Sequence, residues 1–199
     1  MLELISIHIP KTGGRSFHEI LRNVYGQGLD KKTKAIHGHL TIAKVKGIIE
    51  EEHPKVITWV RDPVDRVISN YYFFMKRIRE GKTTEKQRKK IDYSLPEYAG
   101  QVKRRNRMTE ILHGIPLEDF YFIGLMERFE EDIIELASKI GWPKIDSIPH
   151  INDSTSFKLN NDCKTQYNDI DENMRQEIAK LNELDIKLFD DIKNLRGIK

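Results

Sequence analysis

Ile7-His8-Ile9-Pro10-Lys11-Thr12-Gly13-Gly14-Arg15-Ser16-Phe17 decides the fold. The run from Leu2 to Ile9 is β-rich, with Leu4, Ile5, Ile7 and Ile9, and it ends at Pro10. A glycine pair follows. Phe17, Ile20, Leu21 and Val24 then recur on one side of a helix, which Gly26 and Gly28 stop. The stretch is a turn that carries a strand into a helix. Glycines there let the main chain approach an anion closely, and the start of the helix offers N–H donors and the positive end of its dipole. Lys11 adds a mobile charge, and Thr12 and Ser16 add hydroxyls. A plain glycine turn is the simpler reading, but it leaves the lysine and both hydroxyls unexplained. The ATPase pattern needs Gly-Lys-Ser/Thr at the end of its loop. Here Lys11 precedes the glycines and Arg15 stands before Ser16. The stretch reads as a phosphate loop without the ATPase signature.

The chain on either side repeats the alternation. Thr41 to Glu51 reads as a second helix, with Ile42, Val45, Ile48 and Ile49 as its buried stripe. Val56 to Val60 is a compact apolar strand. Asp62-Pro63 opens a third helix, with Asp62 as N-cap, Pro63 at the first helical position and Asp65 in the first turn. Gly81 to Lys90 reads as a polar, basic loop, and weaker helical segments run to about His113. Asp119 to Leu125 has strand composition. Arg128 to Ile140 is an amphipathic helix that Gly141-Trp142-Pro143 ends, and Ile170 to Leu195 carries the last helical stripes. No repeat or flexible linker divides the chain, so 1–199 reads as one domain. The order implies an α/β fold, a parallel sheet with helices on its faces.

Composition sets the outer limits. At 33% charged and 38% hydrophobic the chain is globular rather than disordered. Cys163 is the only cysteine, which excludes an internal disulfide. No apolar run approaches the roughly 18 residues of a membrane span, and no secretory signal is read at the start, so a reducing, cytoplasmic setting is expected. The net charge of +3 hides segregation: Lys76 to Arg107 holds 12 basic and 4 acidic residues. Such a segment suits an anionic partner, or is simply a solvated surface.

A second motif runs Thr58-Trp59-Val60-Arg61-Asp62-Pro63-Val64-Asp65-Arg66-Val67-Ile68-Ser69-Asn70-Tyr71-Tyr72. Arg61 ends a strand and Ser69 lies two turns into the next helix. An arginine fork and a hydroxyl so placed can share one phosphate. Alternatively, Arg61 pairs with a carboxylate and Ser69 is surface. Tyr71, Tyr72, Phe73 and Phe74 are expected mainly in the core, since helix aromatics usually bury against a sheet.

Together the two motifs resemble the nucleotide-binding signatures of sulfotransferases that use 3′-phosphoadenosine 5′-phosphosulfate (PAPS), and most strongly those of the carbohydrate branch, which includes the heparan sulfate 2-O-sulfotransferases. The resemblance covers most of the chain, including Phe-Ile-Gly-Leu-Met-Glu-Arg-Phe at 122–129. It implies a P-loop-like three-layer fold with a central parallel β-sheet flanked by helices. It also implies that Lys11, Thr12, Gly13, Gly14, Arg15 and Ser16 hold the 5′-phosphosulfate, and that Arg61 and Ser69 hold the 3′-phosphate. Arg15 departs from the family, where Thr is usual. Ile36-His37-Gly38-His39-Leu40 looks like the His-Gly-His segment of the 2-O branch, whose histidines act as base near the acceptor hydroxyl. His37 or His39 would then be the base, a task suited to imidazole, and Lys11 would neutralise the leaving oxygen. Taken without the family, two histidines lacking Cys or a carboxylate cluster make a poor metal site, and no metal is expected. His8 is expected to pack and His53 to end a helix. His150-Ile151-Asn152-Asp153-Ser154 sits where relatives fold a loop over the nucleotide, but without the usual basic residues.

The expected reaction moves the sulfuryl group in line from PAPS to a hydroxyl of an acceptor, a carbohydrate if the branch holds, and releases 3′-phosphoadenosine 5′-phosphate (PAP). The basic segment would suit an anionic acceptor. Three other readings stand beside it. A P-loop nucleotide or small-molecule kinase would need a lysine inside the loop and a metal-holding Asp. A non-catalytic glycan- or anion-binding module could share the fold. Nucleic-acid binding lacks a reading motif.

Overall fold

The computed structural model describes residues 1–26, 29, 34–145, 147–149 and 163–198. The 150–154 segment singled out above lies outside them. The chain forms two compact units. The first comprises Met1–Arg61, Met108–Ile151 and Leu188–Lys199; the second comprises Asp62–Arg107 and Asn152–Lys187.

The first unit is built on a parallel sheet. Its described strands are β1 (Leu4–Ile7), β2 (Ala35–Gly38), β3 (Lys55–Val60) and β4 (Phe122–Leu125), in the order β2-β1-β3-β4. β1 is central: Ile7 pairs in register with Gly38 on one side and with Thr58 on the other. Strand side chains alternate between faces, and so does the packing. Leu4, Ile57, Trp59 and Phe122 meet Phe17, Ile20 and Leu21 of α1 (Gly14–Tyr25) and Phe129, Ile133 and Leu136 of α7 (Phe129–Ile140). Ile5, Ile7, Val56, Val60, Ile123 and Leu125 face the other way. They meet Ile42 and Val45 of α2 (Ile42–Glu52), Met108, Ile111 and Leu112 of α6 (Arg107–Leu112), and Phe189 and Ile192 of α9 (Glu183–Leu195). Helices thus cover both faces of the sheet, the P-loop-like three-layer arrangement expected.

A polar clamp adds to the apolar layers. Asp132 is fully buried on α7 and accepts from the Leu125 N–H at 2.7 Å. Arg196 pairs with Asp132, donates to Glu135 at 2.6 Å and to the Ile123 carbonyl at 3.1 Å. One guanidinium therefore ties the chain after α9 to β4 and α7.

The second unit is helical: α3 (Pro63–Arg79), α4 (Glu85–Arg88), α5 (Leu95–Ala99) and α8 (Glu172–Leu181). α3 starts as its sequence dictates. Asp62 caps the Asp65 N–H at 2.9 Å and Pro63 opens the first turn. Tyr71, Tyr72 and Phe74 are buried and Phe73 is partly so, in a core shared with Leu95, Tyr98 and Ile178. Within that core Arg66, from the second motif, is 1% exposed and reaches Asp185, itself fully buried, at 3.4 Å.

Several details differ from the sequence reading. The strand expected over Leu2 to Ile9 is confined to β1, and β4 starts only at Phe122, after a short 3-10 turn at Leu117–Asp119. The 81–90 stretch is not wholly loop. Thr84 accepts from the Gln87 N–H while Gln87 accepts from the Thr84 N–H, and this reciprocal box opens α4. β2 carries too little β-branched character to announce itself, and its pairing with β1 defines it.

Candidate active site

The carboxyl ends of parallel strands are where such sheets gather ligands. Here β1 ends beside Lys11, β2 beside His39 and β3 beside Arg61. The register that pairs Ile7 with Gly38 and Thr58 sets the ends of β1 and β2 level, while β3 runs two residues further to Val60. Ser69, by contrast, lies on α3 in the second unit, where it is buried.

The loop after β1 has an unusual main chain. Lys11 (φ 74°) and Gly13 (φ 76°) are both left-handed. For glycine this conformation costs nothing special, but for a lysine it is a strained one that the surroundings must hold. Part of the holding is visible: the Thr12 hydroxyl donates to the Ile9 carbonyl at 2.9 Å, and both residues are buried. Thr12 thus shapes the loop with its side chain. A Cβ on Gly13 would stand 2.7 Å from the Met126 Sδ, so space as well as φ requires glycine there. Ser16 is buried in the first turn of α1, and Arg15 beside it is exposed. No carboxylate occurs between Ile7 and Phe17. A positively charged loop without a carboxylate at the start of a helix is a setting that favours an anion.

Four histidines surround this loop. The His8 ring stacks on His39 at 4.3 Å between centroids and on His37 at 5.2 Å; His18 of α1 lies 5.5 Å from His37. Their hydrogen bonds distinguish the two candidate bases. At His37, Nε2 is 3.2 Å from the Gly14 carbonyl and Nδ1 is 2.9 Å from the Ser6 hydroxyl. A carbonyl only accepts, so Nε2 is the donor and neutral His37 uses Nδ1 to accept from Ser6. Both nitrogens are committed inside the protein. Burial, then the charge of His18, lower its pKa to about 4, although the Gly14 bond works in the opposite sense. His39 is exposed, and its Nδ1 donates to the His8 carbonyl at 3.2 Å. That bond selects the tautomer with the lone pair on Nε2, the form a proton acceptor requires. His8 is pushed to about 3, chiefly by burial and then by His37, His39, His18 and Lys11. It is uncharged at neutral pH. Among the described residues no group of three or more His, Cys, Asp or Glu is arranged to hold a metal.

Reading the sequence singled out Lys11, the glycines, His37 and His39 as candidates, expected His8 to pack, and passed over Ser6 and His18. The missing signal is the β1–β2 register, which sets His8 beside His39 and Ser6 opposite His37.

The second unit carries its own cationic surface. Lys90 donates to Gln101 Oε1 at 2.7 Å and lies over the Tyr93 ring. Arg104 lies over both Tyr98 (4.5 Å) and Phe74 (4.9 Å). Partial desolvation, then Lys103, Arg104 and Lys86, hold the Lys90 ammonium below the usual lysine range. Positive groups crowd one another here.

A search of curated proteins finds no match. Solved structures do match. The sulfotransferase from Alicyclobacillus acidocaldarius is 14% identical with a TM-score of 0.52, over 100% of this chain and 97% of that one. Mouse sulfotransferase SULT7A1 complexed with PAP is 12% identical with a TM-score of 0.49, over 90% of this chain and 82% of that one. At 14% identity the likeness to the Alicyclobacillus enzyme speaks for the fold alone. Among the described residues no helix is long and apolar enough to cross a membrane. A sequence profile described as the sulfotransferase family matches residues 2–190, nearly the whole chain, and the chain belongs to that family.

Proposed function

We propose that the chain, 1–199, acts as a single PAPS-dependent O-sulfotransferase domain with His39 as its general base. The observation that carries this reading is the His39 tautomer beside the Lys11 loop. The donor set fits the nucleotide. Lys11, Arg15 and Arg61 supply cations, the start of α1 supplies N–H groups, and the loop bears no carboxylate to repel a phosphosulfate. PAPS supplies an activated sulfuryl group when bound.

The chain's residues divide the remaining work. Lys11 neutralises charge on the leaving oxygen, and the backbone from Thr12 through Gly13 and Gly14 to Ser16 holds the 5′ end. Arg61 and Ser69 are assigned to the 3′-phosphate by the family resemblance. His39 Nε2 takes the proton of the acceptor hydroxyl as it attacks sulfur in line. His37, whose nitrogens both face inward, orders the loop through Gly14 rather than taking that proton. The acceptor is a carbohydrate bearing anionic groups, a chemistry that the basic residues of the 76–107 segment would suit.

Thermal denaturation with PAP, with ATP and Mg²⁺, or with buffer tests the nucleotide. A ligand of the native state stabilises by RT ln(1 + [L]/Kd). PAP alone raises the midpoint on this reading; ATP with Mg²⁺ alone identifies a kinase, and no response to either leaves a binding module. Incubation with PAPS and a panel of sulfated and neutral oligosaccharides then identifies the acceptor.

A further inference from the structure

We propose that His8 is a positioning residue that couples the phosphate loop to the base, its ring filling the space beside Gly14 and stacking on His39. This rests on the sulfotransferase reading above.

The geometry is specific on both sides of the ring. A Cβ built on Gly14 would lie 1.9 Å from His8 Nε2 and 2.1 Å from its Cδ2. Real Cβ atoms do not approach so closely, so any side chain at Gly14 must displace the ring or the loop. Gly14 opens α1 with an ordinary negative φ, so the glycine is required by the ring and not by the backbone. On the other side the ring stacks on His39 at 4.3 Å and 21°. The main chain of the same residue accepts from His39 Nδ1 and donates its N–H to the Gly38 carbonyl at 2.8 Å. His8 thus fixes His39 jointly: its carbonyl accepts from Nδ1, and its ring holds the imidazole in the plane that this bond needs, so that without the ring the bond loosens and the tautomer is no longer fixed. A shift in the loop at Gly14 moves the ring, and with it the face on which the base rests. The charged and titratable groups around it are His18, His37, His39 and Lys11. All are cationic when protonated, so a neutral ring is what this position tolerates.

Two measurements that need no acceptor test the coupling. The first is PAP affinity by calorimetry for wild type, Gly14→Ala, His8→Ala and the double variant. Gly14→Ala should weaken PAP about tenfold or more, the scale of overpacking a tight site. The double variant should return to within about threefold of His8→Ala, because neighbours that share one space are non-additive. A double variant as weak as Gly14→Ala overturns the proposal. The second is the His39 tautomer, read from imidazole nitrogen shifts. Wild type and His8→Phe should show the Nδ1–H form, and His8→Ala a mixture. An unchanged tautomer in His8→Ala also overturns the proposal, and this arm stands even where Gly14→Ala does not fold. If wild type binds no PAP, the sulfotransferase reading fails instead, while the tautomer arm still reports on His8.

Discussion

The β1–α1 loop and the helical unit around α3 both gather positive charge, but they hold it by opposite means. The loop is held by its backbone: left-handed Lys11 and Gly13, the Thr12 hydroxyl on Ile9, and the His8 and His37 rings kept uncharged chiefly by burial. The helical unit is held by side chains. Arg66 is sealed against Asp185, while Arg104 and Lys90 lie on aromatic rings nearer the surface. The difference teaches that charge alone does not mark a site. A charge sealed in an apolar core is structural, because removing its partner leaves an uncompensated ion. A charge carried by a strained loop beyond the carboxyl end of a parallel strand is instead a candidate for chemistry.

The comparison breaks first at the base. His39→Ala should lower kcat by about 10²–10⁴, the usual worth of a general base, with PAP affinity within about twofold, since the histidine stabilises the transition state and not the nucleotide. Single-turnover transfer beside PAP calorimetry measures both, and an unaltered rate rejects the assignment. In the other region Arg66→Ala should remove one half of a fully buried ion pair with Asp185 and cost about 3–5 kcal/mol of stability. Urea denaturation reads this directly, and a loss below about 1 kcal/mol would be the signature of a solvated surface pair. Lys90→Gln belongs to the recognition class. It should raise KM for an anionic acceptor by up to about fivefold at low salt, with kcat unchanged and the effect fading as salt screens it. A salt-independent change, or a fall in kcat, would move Lys90 out of that class.

The smallest effect concerns pH. His8 and His37 have folded pKa values of about 3 and about 4, below the unfolded value of 6.5. The unfolded chain therefore binds more protons between these limits, and stability falls as pH drops from about 6.5 towards about 4. Each contributes less than the ~1.4 kcal/mol per pH unit of one fully coupled proton, because both rings are partly exposed. His8→Phe should flatten the dependence of the denaturation midpoint on pH over that window; an equally steep curve would place the titrating groups elsewhere.

Most of the fold was legible because its signals are local. Asp62-Pro63 caps α3 as its chemistry requires, Gly141 ends α7 in a left-handed turn (φ 80°), and the stripes of α1, α2 and α7 face the sheet as their spacing says. His53 closes α2 in the left-handed conformation, which its ring alone does not signal. β2 escaped, since four residues reading Ala-Ile-His-Gly have little intrinsic preference and become a strand only by pairing. The site divides in the same way. Lys11, the glycine pair and the two histidines are visible in the sequence as chemistry-bearing residue types at a strand–helix junction. Which histidine turns inward was not, because hydrogen-bond partners far apart in sequence decide it.

The amino-acid sequence by itself therefore determined the α/β alternation, the anion-shaped loop and a pair of candidate bases. These depend on spacing within a few turns of chain, where sterics and capping act. Only the tertiary structure decided that His37 faces Ser6 and Gly14, that exposed His39 bonds through Nδ1 to the His8 carbonyl, that the His8 ring lies between Gly14 and His39, and that Arg66 is buried against Asp185 while Arg104 rides on aromatic rings. The hydrogen bonds of His37, His39 and Arg66 span 23 to 119 residues of chain. Strand register and core packing create such contacts, and no local preference encodes them.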